Sequence, residues 1–186
     1  GNVWSNPGEI AGNGLDDDSN GFVDDTRGWD FDSNDSDPNG VFFHGTSVAS
    51  VIGAVGNNGL NVVGLAGGAN DGQGCSIMIG NVGGFGPNGA VLDDAIIYAA
   101  DNGARVITMS LSIATSSAVD AALDYAWNTK GVFVDNASGN NGFGVSYPAT
   151  DPNCVAVAST NRFDSKSGFS NAGPEVEISA PGEDIT

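Results

Sequence analysis

The sequence contains little positive charge. Its 186 residues include five lysines and arginines against 23 aspartates and glutamates, which gives a formal net charge of −18 near neutral pH. A surface with this charge repels the phosphates of nucleic acids and of anionic lipids. In addition, no apolar run approaches the roughly 20 residues that a membrane span needs. We therefore expect neither a nucleic-acid partner nor a membrane partner.

Cysteine is also scarce. Cys75 and Cys154 match no zinc-binding or redox spacing, and both lie in apolar runs. This favours buried free thiols over a disulfide, although the sequence leaves both open and does not identify a compartment. The first residues do not resemble a signal peptide, and both ends stop within a pattern. We therefore expect an internal piece of a longer protein.

Apolar segments of two kinds alternate along most of the chain. Helical spacing is found in residues 44–55, 91–102 and 118–129. Short strands are predicted at residues 76–82, 104–111, 131–134, 155–159 and 176–179. This alternation predicts an α/β fold, with a parallel β-sheet covered by helices on both faces. We expect one domain over residues 1–186, in which acidic, ion-binding loops (1–43) precede an α/β core (44–186).

The chain has a single histidine, His44, where the first helical pattern begins. Imidazole is the side chain whose unperturbed pKa allows it to take and return a proton near neutral pH. A lone histidine is more often an ordinary core or surface residue. However, the run from His44 to Ala49, His-Gly-Thr-Ser-Val-Ala, resembles the histidine box of subtilisin-like (subtilase) serine peptidases, His-Gly-Thr-His-Val-Ala-Gly. This context favours a catalytic role.

Further blocks resemble the same family in order and spacing. They are residues 52–59, 64–66, 104–112, 137–142, 147–149, 155–158 and 179–182. Each block alone is weak, but together they are in register over essentially the whole chain. The chain is therefore identified as a member of the subtilisin-like family, which implies a parallel α/β fold and a serine endopeptidase.

The resemblance implies roles for individual residues. His44 matches the general base of a Ser-His-Asp triad. Asn140 matches the side-chain donor of the oxyanion hole, although an asparagine between glycines could equally cap a turn. An extended polypeptide substrate would pair with two strand-end segments as an added β-strand, unless these are ordinary strand ends. The implied substrate-binding residues are Ser110, Leu111, Ser112, Ala137, Ser138 and Gly139.

The other two members of the triad are not found in the chain. The family's aspartate lies in an Asp-Thr-Gly or Asp-Ser-Gly strand end, which we expect upstream of Gly1. Its serine begins a Gly-Thr-Ser-Met-Ala helix, which we expect downstream of Thr186. Ser47, in a Gly-Thr-Ser-Val-Ala run, resembles that serine, but the neighbouring blocks identify the run as the histidine box. The sheet is therefore expected to be incomplete and the chain alone inactive and marginally stable.

Three departures from the family pattern bear on the cleft. Phe43 and Ser112 occupy positions where the family usually has glycine, and Ser47 replaces a second histidine. They leave an alternative open: a catalytically inactive subtilisin-like scaffold, stabilised by calcium, that acts as a binding or structural domain. A simple calcium-binding module would not explain the blocks around His44 and Asn140.

The segment from Asp16 to Asp25 has oxygen-bearing side chains at alternating positions and a glycine at the sixth. This is half of a calcium-loop pattern, without the late glutamate of an EF-hand. A solvated acidic turn is the alternative, but closely spaced aspartates repel one another without a cation. The predicted calcium ligands are Asp16, Asp18, Asn20, the carbonyl of Phe22, and Asp24 or Asp25.

A second oxygen-rich cluster precedes the histidine box. It contains Asp30, Asp35, Asp37 and Asn39, and the resemblance implies calcium in the equivalent loop. Hard oxygen ligands without histidine or cysteine favour calcium over zinc or copper. Because calcium is abundant outside cells, the acidic composition and these loops suit a secreted, extracellular protein, which we expect to be a monomer.

Overall fold

The structure, a computed structural model, describes residues 2–40, 42–60, 62–69, 72–83 and 86–185. Gly1 and Val41 of the predicted acidic segment, and Thr186 at the end of the predicted core, lie outside the described residues. The chain divides into two compact units, Gly1–Gly86 and Pro87–Thr186, and each is described by itself. Within the described ranges, no helix combines the length and the apolar character needed to cross a membrane.

The described residues of unit 1 form a two-stranded parallel sheet and one helix. Strand β1 is Gly28–Asp30, helix α1 is Phe43–Gly53, and strand β2 is Ile79–Asn81. Gly28 pairs with Ile79 and Asp30 with Asn81. Gly28 has a φ of +126°, and a Cβ at this position would overlap the carbonyl oxygen of Ile79. Only glycine therefore allows this close pairing.

Strand β1 corrects the expectation that residues 1–43 form loops throughout. Its three residues are too few to display the two-residue period of a strand. Burial of the adjacent aromatic residues stabilises it instead. Trp29 and Phe31 are buried, and the ring of Phe22 packs edge-on against both, with centroid distances of 5.1 and 5.8 Å. This aromatic cluster anchors the acidic loops on both sides of it.

Unit 2 contains a four-stranded parallel sheet with the order β3-β4-β5-β6. Its strands are β3 (Val106–Met109), β4 (Phe133–Ala137), β5 (Val155–Thr160) and β6 (Val176–Pro181). Its helices are α2 (Leu92–Asp101) and α3 (Ser117–Asp124), and α3 continues as a π-helical turn, Tyr125–Thr129. The α/β class with parallel sheets is thus confirmed, and the predicted strand positions of this unit hold to within a few residues.

The core of unit 2 includes the contact between α2 and α3 and the contact between the π-helical turn and β4. Ile96 of α2, Val119 and Leu123 of α3, and Val134 of β4 are at most 1% exposed. Helix α3 begins where the Ser116 hydroxyl accepts a hydrogen bond from the amide of Val119, which satisfies one of the free N–H groups of the first turn. The apolar spacing that predicted these helices therefore reflects real burial.

Candidate functional site

His44 is the second residue of α1, and its side chain is exposed. Among the described residues, the imidazole has no hydrogen-bond partner, so both ring nitrogens are available to another group. The hydroxyl of Ser47 instead donates to the carbonyl of Phe43, at 3.1 Å, within the same helix. This i−4 bond is common for serine in helices. It ties the Ser47 hydroxyl to the helix backbone.

The predicted binding segment Ser110–Ser112 follows the end of β3. Ser110 and Ser112 are exposed and Leu111 is half-buried. The amide of Leu111 donates to Oδ1 of Asn136 at 3.4 Å, and its carbonyl accepts from Nδ2 at 3.0 Å. Asn136 is fully buried in β4. A side chain therefore joins the ends of the two neighbouring strands.

A cavity of about 430 Å³ lies beside this segment. It is lined by Pro87, Gly89 and the five residues from Ser112 to Ser116. The lining is mostly small side chains and backbone, which suits a site that accommodates an extended chain by its main-chain groups.

Tyr147 anchors the far end of the same segment. Its hydroxyl donates to Oδ1 of Asp120 at 2.7 Å and lies 2.9 Å from the Ser116 carbonyl, while its own carbonyl accepts from the amide of Ile113. Burial, followed by the neighbouring Asp120 carboxylate, raises the pKa of Tyr147 far above the usual tyrosine range. The phenol therefore stays protonated and keeps donating under all ordinary conditions.

Ala137 is the last residue of β4, and the loop that follows carries the other two predicted binding residues, Ser138 and Gly139. Ser138 is buried, and its amide donates to the carbonyl of Val157 at 2.9 Å. Gly139 has a φ of +113°, which turns the chain outward. Asn140 is exposed, and its side chain has no hydrogen-bond partner within the described residues. Its side-chain amide is thus presented at the surface.

Asn171 makes several hydrogen bonds to this loop. It is fully buried, and its Oδ1 accepts from the amides of Asn141 (3.0 Å) and Phe143 (3.1 Å). Its Nδ2 donates to the hydroxyl of Ser146, and its own amide donates to the carbonyl of Gly139 at 2.9 Å. One side chain and its backbone therefore brace both ends of the loop that carries Asn140.

Strand β4 also holds a half-buried carboxyl, that of Asp135. Burial raises the pKa of Asp135, although a hydrogen bond from Thr108, at 3.0 Å, acts in the opposite direction.

Both cysteines are free, as favoured from the sequence, with Cys154 buried and Cys75 half-buried. Burial, together with the Asp135, Asp151 and Glu177 carboxylates, raises the pKa of Cys154 to about 12. Cys154 is therefore an unreactive thiol.

In the acidic loop of unit 1, Glu9, Asp16 and Asp18 bring one carboxylate oxygen each within 4.8 Å of one another. The sequence reasoning selected Asp16 and Asp18 but missed Glu9, which lies outside the motif and joins it only through the fold. Both oxygens of Glu9 accept backbone amides, from Asp17 and Asp18 on one side and Asp24 on the other.

The other predicted ligands of this loop make internal hydrogen bonds. The Asp24 carboxylate accepts amides of residues 12–14, and the fully buried Asp25 accepts from Asn6 and Asn20. The amide of Phe22 donates to Oδ1 of Asn20. These residues shape the loop around the Glu9, Asp16 and Asp18 carboxylates.

The second predicted cluster is more spread out. Asp30 is buried and its carboxylate accepts from the amides of Asp32 and Ser33 and from Nδ2 of Asn81. Asp30 and Asp35 exchange backbone hydrogen bonds of 2.9 and 3.1 Å. Asp37 accepts from Asn39. Among the described residues, these side chains do not form a group of three carboxylates as close as the first one.

Comparison with known proteins places these features in a family. The model of the subtilase family, Peptidase S8, matches residues 5–186. The chain belongs to the subtilase family. It is 43% identical over 157 residues to thermitase of Thermoactinomyces vulgaris, covering 83% of this chain and 54% of thermitase. It is 38% identical over 164 residues to the halolysin-like extracellular serine protease Nep of Natrialba magadii, covering 85% of this chain and 29% of Nep.

The solved structures agree. The psychrophilic subtilisin-like protease Apa1 from the Antarctic psychrotroph Pseudoalteromonas sp. AS-11 matches with a TM-score of 0.65 and 36% identity, covering 75% of this chain and 32% of Apa1. The chain thus spans about half or less of the length of these subtilases. The family membership inferred from the blocks around His44 and Asn140 is confirmed.

Sequence reasoning missed three residues that support the site: Asn136, Asn171 and Tyr147. Each acts through a contact between segments far apart in the chain, and no local spacing reveals such a contact. The one available signal was Asn136, which follows Asp135 in the otherwise apolar β4, because a buried carboxamide needs hydrogen-bond partners.

Proposed function

We propose that this chain is the part of a serine endopeptidase that supplies its general base and its oxyanion hole. One observation carries the proposal: a subtilase match over residues 5–186 coincides with an exposed His44 and an exposed Asn140 whose polar groups have no partners among the described residues. A general base and an oxyanion donor each need polar groups that are unpartnered before substrate binds.

His44 would act as the general base. Its imidazole takes the proton of a serine hydroxyl as that oxygen attacks the peptide carbonyl, and later returns the proton to the leaving amine. The serine and the orienting aspartate belong to the family's other two boxes, which this chain does not contain. Residues 1–186 are therefore proposed as a partial peptidase domain, with acidic loops at 1–43 and the α/β core at 44–186.

Asn140 would stabilise the oxyanion. When the serine attacks, the carbonyl oxygen gains negative charge, and a carboxamide N–H donates to it without a second ion that must be desolvated. Loss of such a donor typically removes about 2.7–4 kcal/mol of transition-state stabilisation. The bracing of residues 139–146 by Asn171 supports this role, since the donor must be held in place before the reaction.

The substrate is proposed to be an extended polypeptide. Residues 110–112 and 137–139 follow the carboxyl ends of adjacent parallel strands, where ligands bind in open α/β sheets. A peptide could pair with both segments through its main chain. The charge of −18 supports the absence of nucleic-acid and membrane partners. We further propose a secreted monomer.

Calcium is proposed for the acidic loop. Glu9, Asp16 and Asp18 form a set of hard oxygen donors within 4.8 Å, which suits Ca²⁺. Asn20, the Phe22 carbonyl, Asp24 and Asp25 would complete or support the loop. When bound, the ion would neutralise the mutual repulsion of these carboxylates. The cluster of Asp30, Asp35, Asp37 and Asn39 is proposed as a second, weaker site.

The test is to sequence the encoding DNA beyond both ends, express the whole reading frame, and assay peptide hydrolysis. Intact aspartate and serine boxes, with kcat reduced by about 10²-fold or more in Asn140→Ala and further in His44→Ala, are expected. Asn128→Ala, an exposed asparagine in α3's π-helical turn, serves as the control. Boxes lacking the aspartate or serine, or an inactive protein that still binds peptide, would favour the scaffold alternative instead.

A further inference from the structure

The ladder between β3 and β4 ends at the pair Met109 and Asn136. Beyond this point the side chain of Asn136 continues the pairing. A carboxamide offers an acceptor oxygen and N–H donors, as a peptide group does. Asn136 uses them on the amide and the carbonyl of Leu111, two groups that a parallel ladder would bond to two different residues of β4. Its second N–H donates to the carbonyl of Ala137 at 2.8 Å.

This pairing fixes the orientation of the whole segment. Successive residues of a strand direct their N–H and C=O groups to opposite edges. The carbonyl of Arg105 accepts from Phe133 of β4, and the amide of Ile113 donates to Tyr147. Together with Leu111, these odd-numbered residues direct their bonded main-chain groups toward β4 and Tyr147. Ser110 and Ser112 therefore direct their main-chain groups to the other edge.

That other edge is the one a peptide would use. β3 is at the end of the strand order in its sheet, and both Ser110 and Ser112 are exposed. If Leu111 were free to rotate, its neighbours would lose their fixed direction, and an incoming chain would have to order them on binding. That ordering costs conformational entropy for every residue that is fixed. The bonds of Asn136 remove this cost before the substrate arrives.

We propose that Asn136 is a positioning residue that fixes the strand on which an extended substrate pairs. The inference rests on the proposed peptidase function and assigns to Asn136 no contact with the reacting atoms. Asn136 instead keeps the backbone of residues 110–112 at the end of β3 in register with residues 137–139 at the end of β4. Its effect on cleavage should therefore increase with the number of substrate residues that pair with residues 110–112.

The experiment compares two substrates in the full-length protein. A tetrapeptide anilide pairs along residues 110–112, whereas a single-residue ester does not. Asn136→Ala is expected to lower kcat/KM for the anilide by about tenfold, and for the ester by less than about twofold. Asn136→Asp keeps an acceptor for the amide of Leu111 but, when ionised, cannot donate to its carbonyl. Its anilide-to-ester ratio should resemble that of Asn136→Ala and recover partly at lower pH, where the acid regains one donor.

Val134→Ala is the matched control, because Val134 is also fully buried in β4 but contacts no binding segment through hydrogen bonds. Val134→Ala should lower the activities on the anilide and on the ester by the same factor, because it changes only the fraction of protein that is folded. If Asn136→Ala also lowered the anilide and ester activities equally, the positioning role would be overturned.

Hydrogen exchange gives a readout independent of activity: the Leu111 amide should exchange faster in Asn136→Ala and not in Val134→Ala. Unchanged exchange would likewise overturn the role, whereas a wild-type protein that cleaves neither substrate would count against the peptidase function itself.

Discussion

The carboxamide of Asn171 lies against Gly139, on the side where any other residue would carry its Cβ. The two residues are 32 positions apart in sequence, yet the amide of Asn171 also donates to the carbonyl of Gly139. The left-handed φ of Gly139 and the buried asparagine therefore form one unit. This unit sets the course of the loop that carries Asn140.

We expect Gly139→Ala to destabilise the protein by about 2 kcal/mol or more, since a Cβ there would both strain the backbone and overlap Asn171 and Ser146. Thermal unfolding measures this. Gly144→Ala in the same loop is the control, because a Cβ at Gly144 meets no atom within 4 Å. Equal melting temperatures for the two variants would contradict the close packing at Gly139.

Asn171→Ala should cost about 1–3 kcal/mol, because it removes the buried acceptor of the Asn141 amide, one of the two acceptors of the Phe143 amide, and the donor to the Ser146 hydroxyl. The exposed Asn128→Ala should cost far less.

Asn171→Asp keeps the acceptor but buries a carboxyl, whose pKa burial would raise. The native state would then hold the proton more tightly than the unfolded chain, so the variant should gain stability relative to wild type as the pH falls. A pH-independent difference would argue against burial of this side chain.

The raised pKa of Tyr147 predicts how the stability of the protein changes at alkaline pH. Its folded-state pKa is raised by burial and by Asp120, so the native state keeps the phenolic proton that the unfolded chain loses from about pH 10 upward. The contribution of Tyr147 to stability is complete below that pH and declines above it. Denaturant unfolding at increasing pH should therefore show a decline that is smaller in Tyr147→Phe. An identical decline in both proteins would contradict this assignment.

Asp135→Asn should stabilise the protein near neutral pH. Because burial raises the folded pKa of Asp135, the native state binds its proton more tightly than the unfolded chain does. Stability is therefore lost as the pH rises from the ordinary aspartate pKa, about 4, through the raised value. The gain from Asn should vanish near about pH 3, where both states are protonated. The exposed Glu175→Gln is the control, and a gain that persisted at low pH would disprove the mechanism.

Local pattern was sufficient for the elements of unit 2. Leu92 and Ile96 recur at helical spacing in α2, as Val119 and Leu123 do in α3, and all four are buried. The apolar strands of this unit lie in one parallel sheet. The three-residue β1 escaped prediction, because it is held by the packing of Phe22 on Trp29 rather than by a periodic pattern. The acidic motif indicated Asp16 and Asp18 but not Glu9, which reaches them only in the folded loop.

The sequence by itself determined the family, the α/β class and the candidate residues His44 and Asn140, because these depend on spacing along the chain. Only the tertiary structure decided what holds the candidate site in shape. Asn136 meets Leu111 across 25 residues, and Asn171 meets Ser146 across the same separation. A buried carboxamide must find hydrogen-bond partners, but which backbone groups it meets depends on the strand order and register. Those are properties of the folded sheet, and no stretch of the sequence specifies them alone.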